Sequence, residues 1–500
     1  MNFISNPKFN AFFRIKATSD EFSLRLNFRI LGFLRFKKTL VRGALLSKKT
    51  LQKLALRHEN AIVVFDHQGG GGADFYLDER LKMLFERANF SSIFAPNSTK
   101  NSRSNTAIKA TLANVNLNKN SREFKAQSQN NAQNPISLFY AQSAQDAQKT
   151  PTIAFIVFFK HGRYFIKTLD AQGASELFVL KNLNEAQGIF NAFCVREIFV
   201  NELVNFKHLG EVTDFICRVA NAFETPISVP LHDYYPLCPR TYLLDENDKF
   251  CALKKDLNAC DKCASGCKDA VDFKNVSEFR AKFAKLFAAT REIITFSKSS
   301  QELLLQVFDI APNKLKFAPH RVDYLFNFAQ DFGDNFDENE RNFNANLNTK
   351  FSVPQTRERE RVGLRVGILG ILAQNKGLNE VLKLLDLCED LPFKFVLFGE
   401  ICLETAPKKL AVLGKYDRTT LQTLVKAYEI DIFLIPSICP ETFSYTTHEV
   451  IALGYPLVCF ALGAQAESVG AYDKGQIAKD ISAKALKDEL VKFYERCKRV

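Results

Sequence analysis

Asp431-Ile-Phe-Leu-Ile-Pro-Ser-Ile-Cys-Pro-Glu-Thr-Phe-Ser-Tyr-Thr-Thr-His-Glu449-Val-Ile-Ala-Leu-Gly-Tyr-Pro-Leu-Val-Cys-Phe460 is the stretch from which the rest of the chain can be read. The apolar run Ile432 to Ile435 has the length of a buried strand, and Pro436 ends it. A helix is predicted from about Tyr445, and Leu457 to Phe460 is a second short apolar strand. A strand, a loop, a helix and another strand in so short a span is the unit of a parallel sheet covered on both faces.

Upstream the unit repeats. Gly363-Leu-Arg-Val-Gly-Ile-Leu369 is a strand, followed by Gly370 and a loop to Lys376-Gly377. A helix then places Leu378, Val381, Leu382, Leu385 and Cys388 on one face. Phe395 to Phe398 is a strand, and a helix lies near 418–428. Residues 326–360 are rich in Asn, Asp and Arg and are expected to link this domain (361–500) to an earlier one (59–325). In that earlier domain Ala61-Ile-Val-Val-Phe65 is a strand running through Asp66-His-Gln into Gly69 to Gly72. Leu77, Leu81, Leu84, Phe85 and Ala88 then recur at helical spacing. Strands are expected at 152–159, 197–200, 227–231, 291–296 and 315–318, and helices near 211–223 and 277–289. Residues 96–150 change to Asn, Ser, Gln, Ala and Lys, too polar to offset ordering, and are expected to be a disordered insertion. The fold class is α/β, with two Rossmann-like, doubly wound domains. Ligands in such sheets bind at the carboxyl ends of the strands.

Composition narrows the function. Residues 1–58 hold 13 Lys and Arg against Asp20 and Glu21, a balance of +11 out of a total of +12. The remaining body is nearly neutral, which speaks against a nucleic-acid partner. The basic extension alternates with Phe28, Ile30, Leu31, Phe33, Leu34 and Phe36, and reads either as a segment lying on an anionic membrane surface or as a solubilising tail. No apolar run reaches the ~20 residues of a membrane span. Five of the 12 Cys crowd into residues 238–267, and a reducing, cytoplasmic setting is expected. Within that Cys-rich segment, Cys238, Cys251, Cys260 and Cys263 make a candidate structural zinc site around the Cys260-Asp-Lys-Cys263 knuckle. With Cys267 they read equally well as buried free thiols.

Glu441 follows a strand and Glu449 lies eight residues on, inside the next helix. The pair spans ~10–12 Å, about the reach from ribose to hexose across a diphosphate. Each carboxylate can accept two hydroxyl donors. For an arbitrary pair a surface Glu and a helix Glu would suffice, but the flanking residues argue otherwise. Asp431-Ile-Phe-Leu-Ile-Pro-Ser, Pro440-Glu-Thr-Phe, His448-Glu449, Leu453-Gly-Tyr-Pro-Leu-Val, Phe460-Ala-Leu-Gly-Ala-Gln-Ala-Glu467, Gly370 and Lys376-Gly377-Leu378 together resemble the retaining glycosyltransferases of the GT-B fold with the Glu-x7-Glu signature. Pro440-Glu-Thr and Leu462 to Glu467 are similar to enzymes of surface polysaccharides such as O-antigen.

The resemblance implies transfer from a nucleotide-sugar donor to a glycan or lipid-linked acceptor across a cleft between the two domains. No cofactor is required for catalysis. It implies that Glu441 holds the donor sugar and Glu449 the ribose. Backbone near Phe443, Ser444 and Tyr445 would meet sugar and diphosphate, and Lys376 would offset the leaving diphosphate. Gly370, Gly71 and Gly72 approach the donor. By the same resemblance His232 would contact the transferred sugar, and Asp233 would orient it or meet the acceptor. Where many relatives have Arg after the glycine, this chain has Ile371, so Lys415 or the acceptor-side Arg240 is a candidate for the second positive charge. A nucleotide-sugar 2-epimerase of the same fold and a non-catalytic nucleotide- or glycan-binding scaffold are the rival readings.

Overall fold

The computed structural model describes residues 48–69, 71–94, 150–325 and 363–498. Nearly all of the expected extension and insertion, and the whole linker, lie outside the described residues. The chain divides into two compact units.

The first unit comprises, among the described residues, 48–64, 75–94 and 150–199. Its elements are α1 (Lys48–Arg57), β1 (Asn60–Phe65), α2 (Gly72–Phe94, whose first turn belongs to the second unit), β2 (Ile153–Lys160), β3 (Arg163–Asp170), β4 (Leu177–Leu180), α3 (Leu183–Phe190) and β5 (Cys194–Val200). The strands lie in the order β4-β3-β2-β1-β5. Every residue of β1 is buried, as the apolar run Ala61 to Phe65 requires. β2, β3 and β4 pair antiparallel, which corrects the expectation of a purely parallel arrangement. The reason is local. His161 and Gly162 both have positive φ, the two-residue turn that folds β2 back onto β3 as a hairpin.

The second unit comprises, among the described residues, 65–69, 71–74, 200–325 and 363–498. It continues with α4 (Leu209–Phe223), β6 (Ile227–Pro230), α5 (Leu257–Ala264), α6 (Val276–Ala289), β7 (Glu292–Thr295), α7 (Lys298–Leu305) and β8 (Leu315–Phe317). β6, β7 and β8 pair in parallel. There follow β9 (Leu364–Leu369), α8 (Leu378–Leu387), β10 (Phe393–Phe398), β11 (Leu410–Val412), α9 (Leu421–Ala427), β12 (Ile432–Ile435), α10 (Tyr445–Ala452), β13 (Leu457–Phe460), α11 (Gly463–Gly470), β14 (Gly475–Ala478) and α12 (Ala483–Lys498). These last six strands form one sheet in the order β11-β10-β9-β12-β13-β14, parallel throughout.

Period-two alternation gives this sheet two cores. Phe395, Leu397, Ile432, Leu434, Val458 and Phe460 point to one face, under Val381, Leu384 and Leu385 of α8 and Leu486 and Leu490 of α12. Val396, Phe398, Phe433, Ile435, Leu457 and Cys459 point to the other, under Leu421, Leu424 and Val425 of α9, Val450 of α10 and Val469 of α11. Strands buried on both faces account for the near-continuous apolar runs of the sequence. The fold class is the expected one: α/β, with parallel sheets. From β9 the chain winds outward to β11, then returns beside β9 with β12 and winds the other way. The crevice between the ends of β9 and β12 is therefore a topological switch point.

Candidate active site

The switch point brings together two loops that are far apart in sequence. After β9 the chain turns through a 3-10 segment, Gln374–Lys376, into α8. After β12 it passes through Ser437, Cys439 and Glu441 into α10, with Ser444 at the N-cap. Gly377 has φ +80°, and a Cβ there would lie 1.9 Å from the carbonyl oxygen of Pro436. Glycine is what lets the two loops touch. Gly463 does the same on the far side, where a Cβ would sit 2.5 Å from the backbone nitrogen of Glu441. That nitrogen donates to Gln465 Oε1 at 3.0 Å, and Gln465 Nε2 donates to the Cys439 carbonyl at 2.9 Å.

So held, Lys376 Nζ lies 2.8 Å from Glu441 Oε1, the oxygen that also accepts from Ser437 Oγ. Burial pulls the Lys376 ammonium down, but Glu441 outweighs it and the pKa ends above its ordinary value. Both residues line a cavity of about 600 Å³. The cavity also takes in Gly71 and Gly72 after β1, Glu202 after β5, and His232 and Asp233 after β6. Ile371, Phe443 and Tyr445 complete that part of the lining. Ile371 is 56 % exposed and lines the cavity where many relatives of the resembled family carry Arg.

His232 is fixed from both ends. Its Nε2 lies 2.9 Å from Asn201 Oδ1, and its carbonyl accepts from Thr442 Oγ1 at 2.6 Å. Asn201 Nδ2 in turn donates to Asp66 Oδ1 at 2.7 Å. Burial pushes the His232 pKa down to about 3, so the ring is neutral near pH 7. Its Nε2–H then donates to Asn201 and Nδ1 carries the lone pair. Burial also raises Asp66, but hydrogen bonds from His67, Asn201 and Gln68 outweigh it and hold the carboxyl at about 2. The chain Asp66–Asn201–His232 sets the tautomer and orientation of the one histidine singled out from sequence. Asn201 was missed there because nothing in its sequence neighbourhood distinguishes it. His320 was missed too: it stacks 3.9 Å from Phe296 and lies 4.6 Å from Phe443 and 5.0 Å from Tyr445, forming an aromatic wall.

Glu449 is only 1 % exposed and is not in the cavity lining. Its Oε1 accepts from the Tyr324 hydroxyl and lies 3.7 Å from Arg418 Nε. Burial raises its pKa, against the hydrogen bond from Tyr324 and the charge of Arg418. Ser444 is buried, and its Oγ accepts from Thr447 Oγ1 at 2.8 Å. Gly370 stands at the end of β9 with its N–H bonded to the Phe398 carbonyl at 2.9 Å. Arg240 is not presented to a ligand. Its Nε donates to the Cys263 carbonyl at 3.1 Å, and its Nη1 to those of Leu244 and Asp245 at 3.3 and 3.0 Å. That spends the guanidinium on tying a loop together. Lys415 is 75 % exposed and lies 3.8 Å from Glu400.

Cys238, Cys251, Cys260, Cys263 and Cys267 are free thiols, each partly buried. Burial pushes Cys238 up to about 12 and raises Cys260, Cys263 and Cys267. Among the described residues, the set of three or more metal-ligand groups whose atoms lie within 4.8 Å of one another is Asp66, His67 and Asp74, and not these cysteines. The oxygens of Asp66 already accept from Asn201 Nδ2, Gln68 N and Gln68 Nε2, so that set reads as a hydrogen-bond network.

Residues 356–499 match the family model described as Glycosyl transferases group 1. This part of the chain is similar in sequence to glycosyltransferase domains of that family. The matched region supplies Lys376, Glu441 and the α10 N-terminus, and the remaining cavity residues come from the preceding segments. No curated protein matches the chain. Among solved structures, the chain is similar to the Anabaena protein HepE in complex with UDP-glucose. That match has 13 % identity over 88 % of this chain and 90 % of that one, with a TM-score of 0.46. It is also similar to a sucrose-phosphate synthase from Thermosynechococcus elongatus, at 12 % identity over 63 % and 69 %, TM-score 0.41. The catalytic domain of starch synthase IV from Arabidopsis thaliana, bound to ADP and acarbose, matches at 12 % identity over 68 % and 80 %, TM-score 0.39.

Proposed function

We propose that this enzyme is a retaining GT-B glycosyltransferase that moves a sugar from a nucleotide-sugar donor to a glycan or lipid-linked glycan acceptor in surface polysaccharide synthesis. The observation that carries the reading is the Lys376–Glu441 pair at 2.8 Å, presented at the topological switch point inside a cavity large enough for a nucleotide sugar. A cation fixed there offsets charge as a diphosphate leaves, and the carboxylate beside it accepts hydroxyls of the sugar. Neutral His232, oriented by Asn201, meets the transferred sugar without bringing a charge to it. Front-face transfer asks for no separate nucleophile, because the leaving phosphate accepts the acceptor's proton as the new glycosidic bond forms. Glu449 binds the ribose once the donor hydroxyls replace the Tyr324 hydroxyl on its carboxylate.

In this reading the enzyme works at the cytoplasmic face of a membrane, held peripherally by the basic residues 1–58. Zinc at Cys238, Cys251, Cys260 and Cys263 stands as a structural proposal. About one Zn per chain in protein purified without added metal supports it, and a metal-free, folded protein removes it. The function is tested by incubating the purified protein with a panel of nucleotide sugars, with and without oligosaccharide and lipid-linked acceptors. Donor-specific release of nucleoside diphosphate that rises with acceptor is expected. Release or epimerisation indifferent to every acceptor would point to a 2-epimerase instead.

A further inference from the structure

Glu202 has no counterpart in the functional reading above, yet it lines the same cavity as Lys376, Glu441, His232 and Asp233. It follows β5, as Asp233 follows β6 and His67 follows β1, so three loops at strand carboxyl ends converge on one wall. Glu202 and Asp233 line both this cavity and a smaller one beside it, with their carboxyls within hydrogen-bonding reach of each other. Asp233 Oδ1 also accepts from the Tyr235 N–H at 2.8 Å, which fixes its plane. His67 Nδ1 lies 3.5 Å from Glu202 Oε2, 3.7 Å from Asp66 Oδ1 and 3.9 Å from Asp74 Oδ1.

We propose that Glu202 is a positioning residue for the acceptor: it donates its carboxyl proton to Asp233, and so presents Asp233 as the hydrogen-bond acceptor for the hydroxyl that receives the sugar. The inference rests on the glycosyl-transfer reading and names a second group on its acceptor side. Two carboxylates in contact cannot both stay ionised in a buried wall, so one keeps its proton. Burial raises both groups, and Glu202 well above the ordinary carboxylate range, with Asp233, Asp66 and Asp74 adding to the effect. Burial pulls His67 down, but Asp66, Asp74 and Asp233 outweigh it and favour its charged form. The tyrosines on this wall, Tyr235 and Tyr242, are raised mainly by burial and stay neutral. Facing the acceptor there is then a single anionic carboxylate with its plane fixed, a good seat for a hydroxyl.

Two variants test it, Glu202→Gln and Glu202→Ala, with UDP-glucose as probe donor, water as acceptor, and UDP binding measured by calorimetry. Glu202→Ala should lower UDP release at least ~10-fold while UDP affinity stays within ~2-fold, and Glu202→Gln, which keeps a donor to Asp233, should recover most of the loss. A second readout does not depend on turnover. The folded-state pKa of Glu202 is raised, so its contribution to stability is present below the unfolded value and is lost as pH rises through the folded value. The melting temperature of Glu202→Gln should therefore gain on wild type as pH rises above the ordinary carboxylate value. A difference independent of pH overturns the inference, as does a Glu202→Ala protein with wild-type release or with UDP affinity lost in step. Wild-type protein that turns over no nucleotide sugar of the panel above, with any acceptor, sinks the glycosyl-transfer reading itself, a result distinct from either.

Discussion

Lys376 and Glu441 hold each other in the cavity at 2.8 Å, and this pairing sets what each substitution should do. Glu441→Gln removes the charge and one strong acceptor but keeps the shape, and Lys376→Ala removes the cation and leaves Glu441 beside the diphosphate. On the proposed roles each should lower turnover by ~10²-fold or more with the melting temperature little changed, because interactions of this kind strengthen as charge develops in the transition state. If Glu449 holds the ribose as proposed, Glu449→Ala should act mainly through donor affinity, since ribose contacts are uniform between ground and transition states. Near-normal turnover by Glu441→Gln would remove it from the mechanism. His232 yields a pH prediction. Its folded pKa is depressed by burial to about 3, so the kcat profile should show no limb from this histidine near the usual imidazole value. For stability the sign is that of a base buried neutral. The unfolded chain binds its proton first, so wild type should lose stability relative to His232→Asn as pH falls from the ordinary value of 6.5 toward 3. Melting curves at a series of pH values measure this difference.

At the scale of elements, the active-site loops are held by backbone fit as much as by side chains. Gly377 precedes α8 with positive φ and packs against the Pro436 carbonyl, so Gly377→Ala meets both a strained backbone and a contact of 1.9 Å. It should cost at least ~1–2 kcal/mol and displace the Lys376 loop, reducing turnover more than stability alone accounts for. Parallel denaturation and rate measurements separate the two effects. The N-terminus of α7 is capped from a distance. Glu467 of α11 accepts from the Lys298 and Ser299 N–H groups at 3.1 and 3.0 Å. Glu467 belongs to a motif legible in the sequence, but its partners lie about 170 residues away along the chain, and no local pattern discloses them. Glu467→Ala should destabilise by ~0.5–2 kcal/mol through loss of the cap, read as a lower melting temperature.

For the whole molecule, the charge distribution makes the strongest prediction. Nearly all of the net charge of +12 lies on residues 1–58, and no helix among the described residues is long and apolar enough to cross a membrane. If the extension lies on an anionic surface, each Lys or Arg adds up to ~1 kcal/mol, and the attraction falls with salt. The full chain should co-sediment with anionic vesicles, release at high salt, and stop binding when residues 1–58 are removed. Equal binding by the truncated protein moves the contact elsewhere. The sequence by itself determined the α/β class, four of the six strands of the last sheet (β9, β10, β12 and β13, but not the short β11 and β14), and Glu441, Lys376 and His232 as the residues to examine. Those are properties of local pattern: apolar runs of strand length, glycine at loop ends, charged residues after strands. It could not determine the β2–β3–β4 meander, because His161-Gly162 alone does not say which strands pair. Nor could it show that Arg240 spends its guanidinium on three carbonyls, or that Asn201 orients His232 and Glu202 meets Asp233. Each of those depends on which strand ends lie side by side. Side-chain neighbours across a sheet are set by strand order, and strand order is decided by the burial of all the strands and helices together rather than by any one segment.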